Sequence, residues 1–130
     1  MKNPASAGSA VSGRLFGTLT LARPERRNAF DGDMLTQLRA TLAAWQDDPA
    51  VRVVVLAAEG STFCAGADLS SGGETFSRGG SDEIPADVGI PRDGGGLVSL
   101  RIFECTKPVI AAINGPAVGV GVTMTLPMDI

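Results

Sequence analysis

The chain has 130 residues, 44% of them apolar and 19% charged, so it can pack one modest domain and is too apolar to be globally disordered. Its net charge of −3 includes no basic block, which argues against a nucleic-acid partner. No apolar run is long enough for a transmembrane helix and the first residues lack a signal-peptide core, so no membrane association and a cytoplasmic location are expected. With no histidine and only Cys64 and Cys105 as thiols, these residues exclude Ser-His-Asp and Cys-His catalysis, a disulfide framework and most metal sites, and no metal is expected.

Residues 1–12 have no periodicity and read as a flexible lead. Leu15 to Leu21 reads as a strand, with Leu15, Leu19 and Leu21 on one face and Phe16, Thr18 and Thr20 on the other. A polar turn with a proline, Arg23 to Asn28, ends it. A helix follows from about Asp31 to Gln46, with Leu35, Leu38, Leu42 and Trp45 in one stripe. Asp31 suits its N-cap, Asp33 its first turn, and Asp47-Asp48-Pro49 its end. Val53 to Ala58 is apolar without alternation, as in a parallel strand covered on both faces.

Ser70 to Gly96 holds eight glycines and two prolines and has little to bury; with Leu69 it reads as a mobile loop over 69–96. Leu97 to Glu104 reads as a short helix with Leu97, Leu100 and Ile102 or Phe103 inward. Val109 to Ile113 is another buried strand, and a helix starts near Gly119. Met128-Asp129-Ile130 reads as the start of a further strand, so the chain is taken as part of a longer domain.

Each of the two apolar strands runs into a glycine-rich turn: Phe63-Cys64-Ala65-Gly66-Ala67-Asp68-Leu69, and Asn114-Gly115-Pro116-Ala117-Val118-Gly119-Val120-Gly121. A strand followed by small residues and a helix start leaves backbone N–H groups free. Two such turns converging could hold one oxygen that becomes negative during a reaction. The plainer alternative is that the glycines only permit tight packing. A dinucleotide fingerprint at Gly119-x-Gly121 is disfavoured, because Met124 stands where its third glycine belongs. Asp68 reads as a residue that shapes or caps its turn rather than a base.

Four stretches in order resemble the N-terminal half of an enoyl-CoA hydratase/isomerase (crotonase) superfamily protein: Ala22-Arg23-Pro24-Glu25-Arg26-Arg27-Asn28-Ala29-Phe30; Phe63 to Leu69; Lys107 to Gly115; and Pro116 to Gly121. The resemblance covers residues 13–130. It implies an α/β fold with a crotonase-like β-β-α spiral core of mostly parallel buried strands, incomplete at the C-terminus. It further implies an acyl-CoA substrate, no permanently bound cofactor (coenzyme A arrives as part of the substrate thioester), and a homotrimer or hexamer. The backbone amides of Ala67 and Val120 would hold the thioester oxygen. Ala65, Gly66, Asp68, Leu69 and Gly119 would line the substrate, and Arg26 and Arg27 would lie near the nucleotide part of coenzyme A.

Two positions depart from the hydratase pattern. Val120 replaces a usual glycine, and Thr123 stands where the first catalytic glutamate belongs. Efficient two-glutamate hydration is therefore not expected; isomerisation, which needs one acid/base to shuttle a proton, also fits, and the reaction stays isomerase-like or hydratase-like at this point. A non-catalytic coenzyme-A-binding or assembly subunit remains the alternative. A serine-peptidase relative is a weaker third, since no serine follows Ser99. These residues alone are expected to be inactive.

Overall fold

The computed structural model describes residues 7–12, 15–70, 72 and 93–130. Alternation builds strand β2 (Phe16–Leu21), which turns Gly17, Leu19 and Leu21 inward. Leu15, expected on that inner face, precedes the strand and is exposed. Strand β1 (Ala7–Ser12) pairs antiparallel with β2, from Ala7 opposite Leu21 to Ser12 opposite Phe16. These six residues belong to the stretch that reads as a flexible lead. Backbone pairing to the edge of β2 orders them, a force that leaves no side-chain periodicity to detect.

Helix α1 (Gly32–Asp47) follows β2, and the Asp31 carboxylate accepts from the Met34 amide at 2.8 Å as its N-cap. Its buried face is Met34, Leu38, Leu42 and Trp45; Leu35 sits half-buried at the margin. The last turn of α1 contains no basic residue, and Lys107 supplies the missing charge from a distant segment. Its ammonium donates to the carbonyls of Trp45 at 2.5 Å and Asp48 at 2.6 Å.

Strand β3 (Val53–Ala58) lies parallel to β2, and β4 (Val109–Ala111) lies parallel to β3, giving the sheet order β1-β2-β3-β4. Val54 and Leu56 of β3 are deeply buried while Val53 and Val55 are half-buried, so one face is better covered than the other. β4 stops at Ala111, two residues short of the expected end, and Ile113 is exposed. The final residues lie beside β4: the Asp129 amide donates to Val109 and the Ala111 amide to Ile130.

Most of the expected 69–96 loop lies outside the described residues. Its last three residues, Gly94 to Gly96, instead open helix α2 (Gly94–Phe103), capped by the Asp93 carboxylate on the Gly96 amide at 2.9 Å. The inward residues of α2 are Val98 and Ile102, which corrects the expected Leu97 and Leu100 face; Phe103 is 75% exposed. Packing along α1 sets this register, and α2 is apolar enough on several sides to permit either one. The two helices and the sheet share one core, including Leu19, Leu21, Leu38, Leu42, Val54, Leu56, Val98 and Val109.

Lys107→Met should lower stability by about 1–2 kcal/mol in denaturant unfolding, because two carbonyls at the end of α1 lose a charged donor. A midpoint unchanged from the parent would show that the ammonium contributes nothing there.

Candidate active site at two abutting turns

The segment after β3 is irregular, and its backbone is held from both sides. On one side the Ala65 amide donates to Arg27 at 3.0 Å, the Phe30 amide to Gly66 at 2.8 Å, and the Asp68 amide to Phe30 at 2.8 Å. On the other side the Phe63 amide donates to Pro116 at 3.0 Å and the Val118 amide to Cys64 at 2.9 Å. The first glycine-rich turn therefore runs between residues 27–30 and the second turn, with parallel bridges Phe30–Ala67 and Cys64–Ala117.

Missing side chains make this approach possible. A Cβ on Gly115 would lie 2.1 Å from the Ser61 carbonyl oxygen, and one on Gly121 would lie 2.6 Å from that of Cys64. Gly66 (φ +94°) and Gly119 (φ +55°) meet directly: a Cβ on Gly119 would be 3.6 Å from Gly66 Cα. Ala67 and Val120 each follow one of these two contacting glycines. Among the described residues, neither of their amides donates a hydrogen bond to the protein. Val120 is the first residue of helix α3 (Val120–Thr123), so its N–H has no intrahelical acceptor.

The side chains around this contact serve mainly to fix it. Asp68 accepts from the Ser70 amide at 3.0 Å and from the Arg23 guanidinium at 2.9 Å. These bonds, the Ser70 ones foremost, hold its carboxyl down at about 2, so it is a weak proton acceptor. Arg23 also donates to the Ala29 carbonyl at 2.6 Å and pairs with Asp31 at 3.1 Å, linking the first turn to the start of α1. Burial pushes the Cys64 thiol up, so it stays protonated beside the Gly66 amide. Thr123 is exposed, and its hydroxyl lies 3.5 Å from the Val120 carbonyl.

Of the other expected site residues, Ala65 is half-buried, Gly66 is buried and Leu69 is exposed on the rim. Arg26 and Arg27 are exposed and join no ion pair among the described residues. The Arg27 backbone nonetheless lies against the first turn, with φ +52° at Arg27 and +54° at Asn28. Among the described residues, no group of three or more His, Cys, Asp or Glu side chains could hold a metal ion, and no helix is long and apolar enough to cross a membrane.

A family model described as enoyl-CoA hydratase/isomerase matches residues 15–130. The chain belongs to that family. It is 46% identical over 115 residues to the enoyl-CoA hydratase ACTT3 of Alternaria alternata, covering 88% of this chain and 36% of that protein. It is 40% identical over 116 residues to the 1,2-epoxyphenylacetyl-CoA isomerase of Escherichia coli, covering 87% and 42%. The structure of Pseudomonas aeruginosa PA4980 superposes with a TM-score of 0.80 at 35% identity, over 100% of this chain and 53% of that one. The enoyl-CoA hydratase/isomerase of Pseudoalteromonas atlantica gives 0.76 at 32% identity, over 96% and 44%. The fold is thus the crotonase fold, and the chain spans 36% to 42% of the length of the two curated relatives.

Sequence reasoning missed two anchors of these turns, Arg23 and Asn28. Asn28 is fully buried; its amide donates to the Glu59 and Thr62 carbonyls at 2.8 Å, and its side-chain oxygen accepts from the Arg23 amide at 2.8 Å. The available signal was an asparagine in a proline-containing turn, a residue that tolerates the left-handed conformation found there.

The Asp68 carboxyl is depressed from 3.8 to about 2, so its stabilising contribution is complete above pH 3.8 and is lost as the pH falls through about 2. Asp68→Asn should be less stable than the parent at neutral pH, with the gap closing across that acid window in pH-dependent unfolding. A gap that stays constant down to the acid limit would contradict the Arg23–Asp68–Ser70 assignment.

Proposed function

We propose that this protein acts on acyl-CoA thioesters, with the amides of Ala67 and Val120 donating to the thioester oxygen as it gains charge. The observation that carries this reading is the pair of uncommitted amides flanking the Gly66–Gly119 contact. Removing a proton from the carbon beside a thioester delocalises charge onto the carbonyl oxygen as an enolate. Preorganised donors favour that state over the ground state, each contributing roughly 3 kcal/mol. Because both donors are backbone groups, Val120 serves as well as a glycine. Coenzyme A is the handle of the substrate in this reading, with Ala65, Gly66, Asp68, Leu69 and Gly119 around the acyl end and Arg26 and Arg27 toward the phosphates.

Within the family, the reaction proposed is proton transfer next to the thioester, isomerase-like rather than two-carboxylate hydration. Thr123 offers a hydroxyl where hydration needs a carboxylate, and the Asp68 carboxyl is too acidic and too engaged to substitute. Thr123 also favours the second reading, a subunit that binds the thioester without transforming it.

Backbone amide shifts test the first step. Titration with hexanoyl-CoA should move the Ala67 and Val120 amides, whereas free coenzyme A, which lacks the acyl oxygen, should leave both in place. Equal responses to the two ligands would overturn the proposal, and binding without any turnover by the full-length protein would favour the non-catalytic subunit.

Val120→Pro removes one donor at a helix N1 position, where proline is structurally tolerated. In the full-length protein it should lower turnover of an acyl-CoA substrate about 10²–10³-fold with little change in melting temperature. Val120→Ala, which keeps the N–H, should lose far less; equal losses in the two variants would point to the side chain instead.

A further inference from the structure

The first turn of α2 is three consecutive glycines, and each meets a different neighbour. A Cβ on Gly94 would lie 2.5 Å from Leu35 Cδ1, the far end of a flexible side chain that can rotate aside. One on Gly96 would lie 3.2 Å from the carboxylate of Asp93, the exposed cap of the same helix. Gly95 faces a stiffer obstacle: its Cβ would lie 2.7 Å from Val120 Cγ2 and 3.2 Å from Val120 Cβ, with Asp93 Oδ1 at 3.1 Å. Valine branches at Cβ, so rotating one methyl away brings another group toward the contact. The Val120 backbone cannot retreat either, because Gly119 lies against Gly66 on one side and Gly121 lies against Cys64 on the other. The volume that Val120 occupies is the volume that Gly95 leaves empty.

We propose that Gly95 and Val120 are a matched pair through which α2 positions the residue-120 amide, making Gly95 a positioning residue for the thioester oxygen. This rests on the acyl-CoA reading of that amide. A side chain at 95 would push Val120, and with it the first N–H of α3, off the direction that hydrogen bonding to the thioester requires. Conversely, valine is accommodated at 120 because the facing helix begins with a glycine there.

Helix propensity and the matched pair predict opposite signs. Alanine is the better helix former, so propensity alone makes Gly95→Ala stabilising. The pair makes Gly95→Ala destabilising, leaves the control Gly94→Ala harmless, and makes Gly95→Ala favourable once Val120→Gly has cleared the space. In a denaturant double-mutant cycle, the two substitutions should couple by about tenfold in the folding equilibrium constant. The residue-120 amide shift induced by hexanoyl-CoA, relative to free coenzyme A, should shrink in Gly95→Ala and return in the double variant.

Additive effects on stability, or an undiminished amide response in Gly95→Ala, would overturn the proposal. If Gly95→Ala does not fold, the double variant decides: it folds if the pair is matched, and fails to fold if it is not. An unmodified protein with no thioester-dependent shift at residue 120 would instead sink the acyl-CoA reading and the positioning role with it. The stability cycle would then still report whether the two residues are sterically matched.

Discussion

The site depends on backbone lying against backbone. Two turns from distant parts of the chain approach so closely that Gly66 and Gly119 touch and that Cβ atoms at Gly115 or Gly121 would collide with carbonyl oxygens. Glycine is required at 115 and 121 by space; at 66 and 119 the left-handed φ adds a conformational demand. Side chains between the turns would hold them apart and break the Gly66–Gly119 contact that Ala67 and Val120 follow. The uncommitted amides follow from the same geometry. The groups beside each one are engaged elsewhere, the Gly66 carbonyl and Asp68 amide with Phe30 and the Gly119 carbonyl and Gly121 amide within the second segment, and these two amides are left over.

Irregular backbone of this kind lacks the regular ladder that holds β2 and β3 together, so polar side chains take over part of that work. Asn28 bonds to three backbone groups, and Arg23 joins Ala29, Asp31 and Asp68. Asn114 does the same at the second turn, donating to the Ala58 carbonyl at 3.0 Å and the Gly60 carbonyl at 2.7 Å. Asn28 carries both donor and acceptor into a place where unpaired groups would be costly, and both are satisfied there. The core beneath them is ordinary apolar packing of α1 and α2 on the sheet. It supplies stability but no chemistry, and it fixes where β3 and β4 end and hence where the turns begin.

The parts of this fold that were legible in the sequence are those governed by local pattern. The alternation of Leu19 and Leu21, the stripe through Leu38, Leu42 and Trp45, the Asp31 cap and the run Val53–Ala58 all leave a periodic or compositional mark. The two turns were legible from glycine placement. The features that escaped depend on partners far along the chain. β1 is ordered by pairing with β2, the α2 register by α1, and the end of α1 by Lys107, about sixty positions away. Arg23 and Asn28 escaped because a charged, proline-containing turn normally looks like solvated loop, and only tertiary contacts distinguish a buried hub from a surface one.

In the reading proposed, a site made of amides separates geometry from side-chain identity. Ala67 offers only a methyl group and Val120 an aliphatic side chain, yet each has the same uncommitted backbone N–H among the described residues. Substitution at such positions changes the walls of the site without removing its donors, provided that the neighbouring packing is adjusted, as Gly95 is to Val120. The acid or base that decides the reaction is a separate requirement, and Thr123 shows that it is not met at that position by a carboxylate. Relatives named for hydration and for isomerisation share sequence with this chain, so the scaffold does not by itself choose between the two reactions.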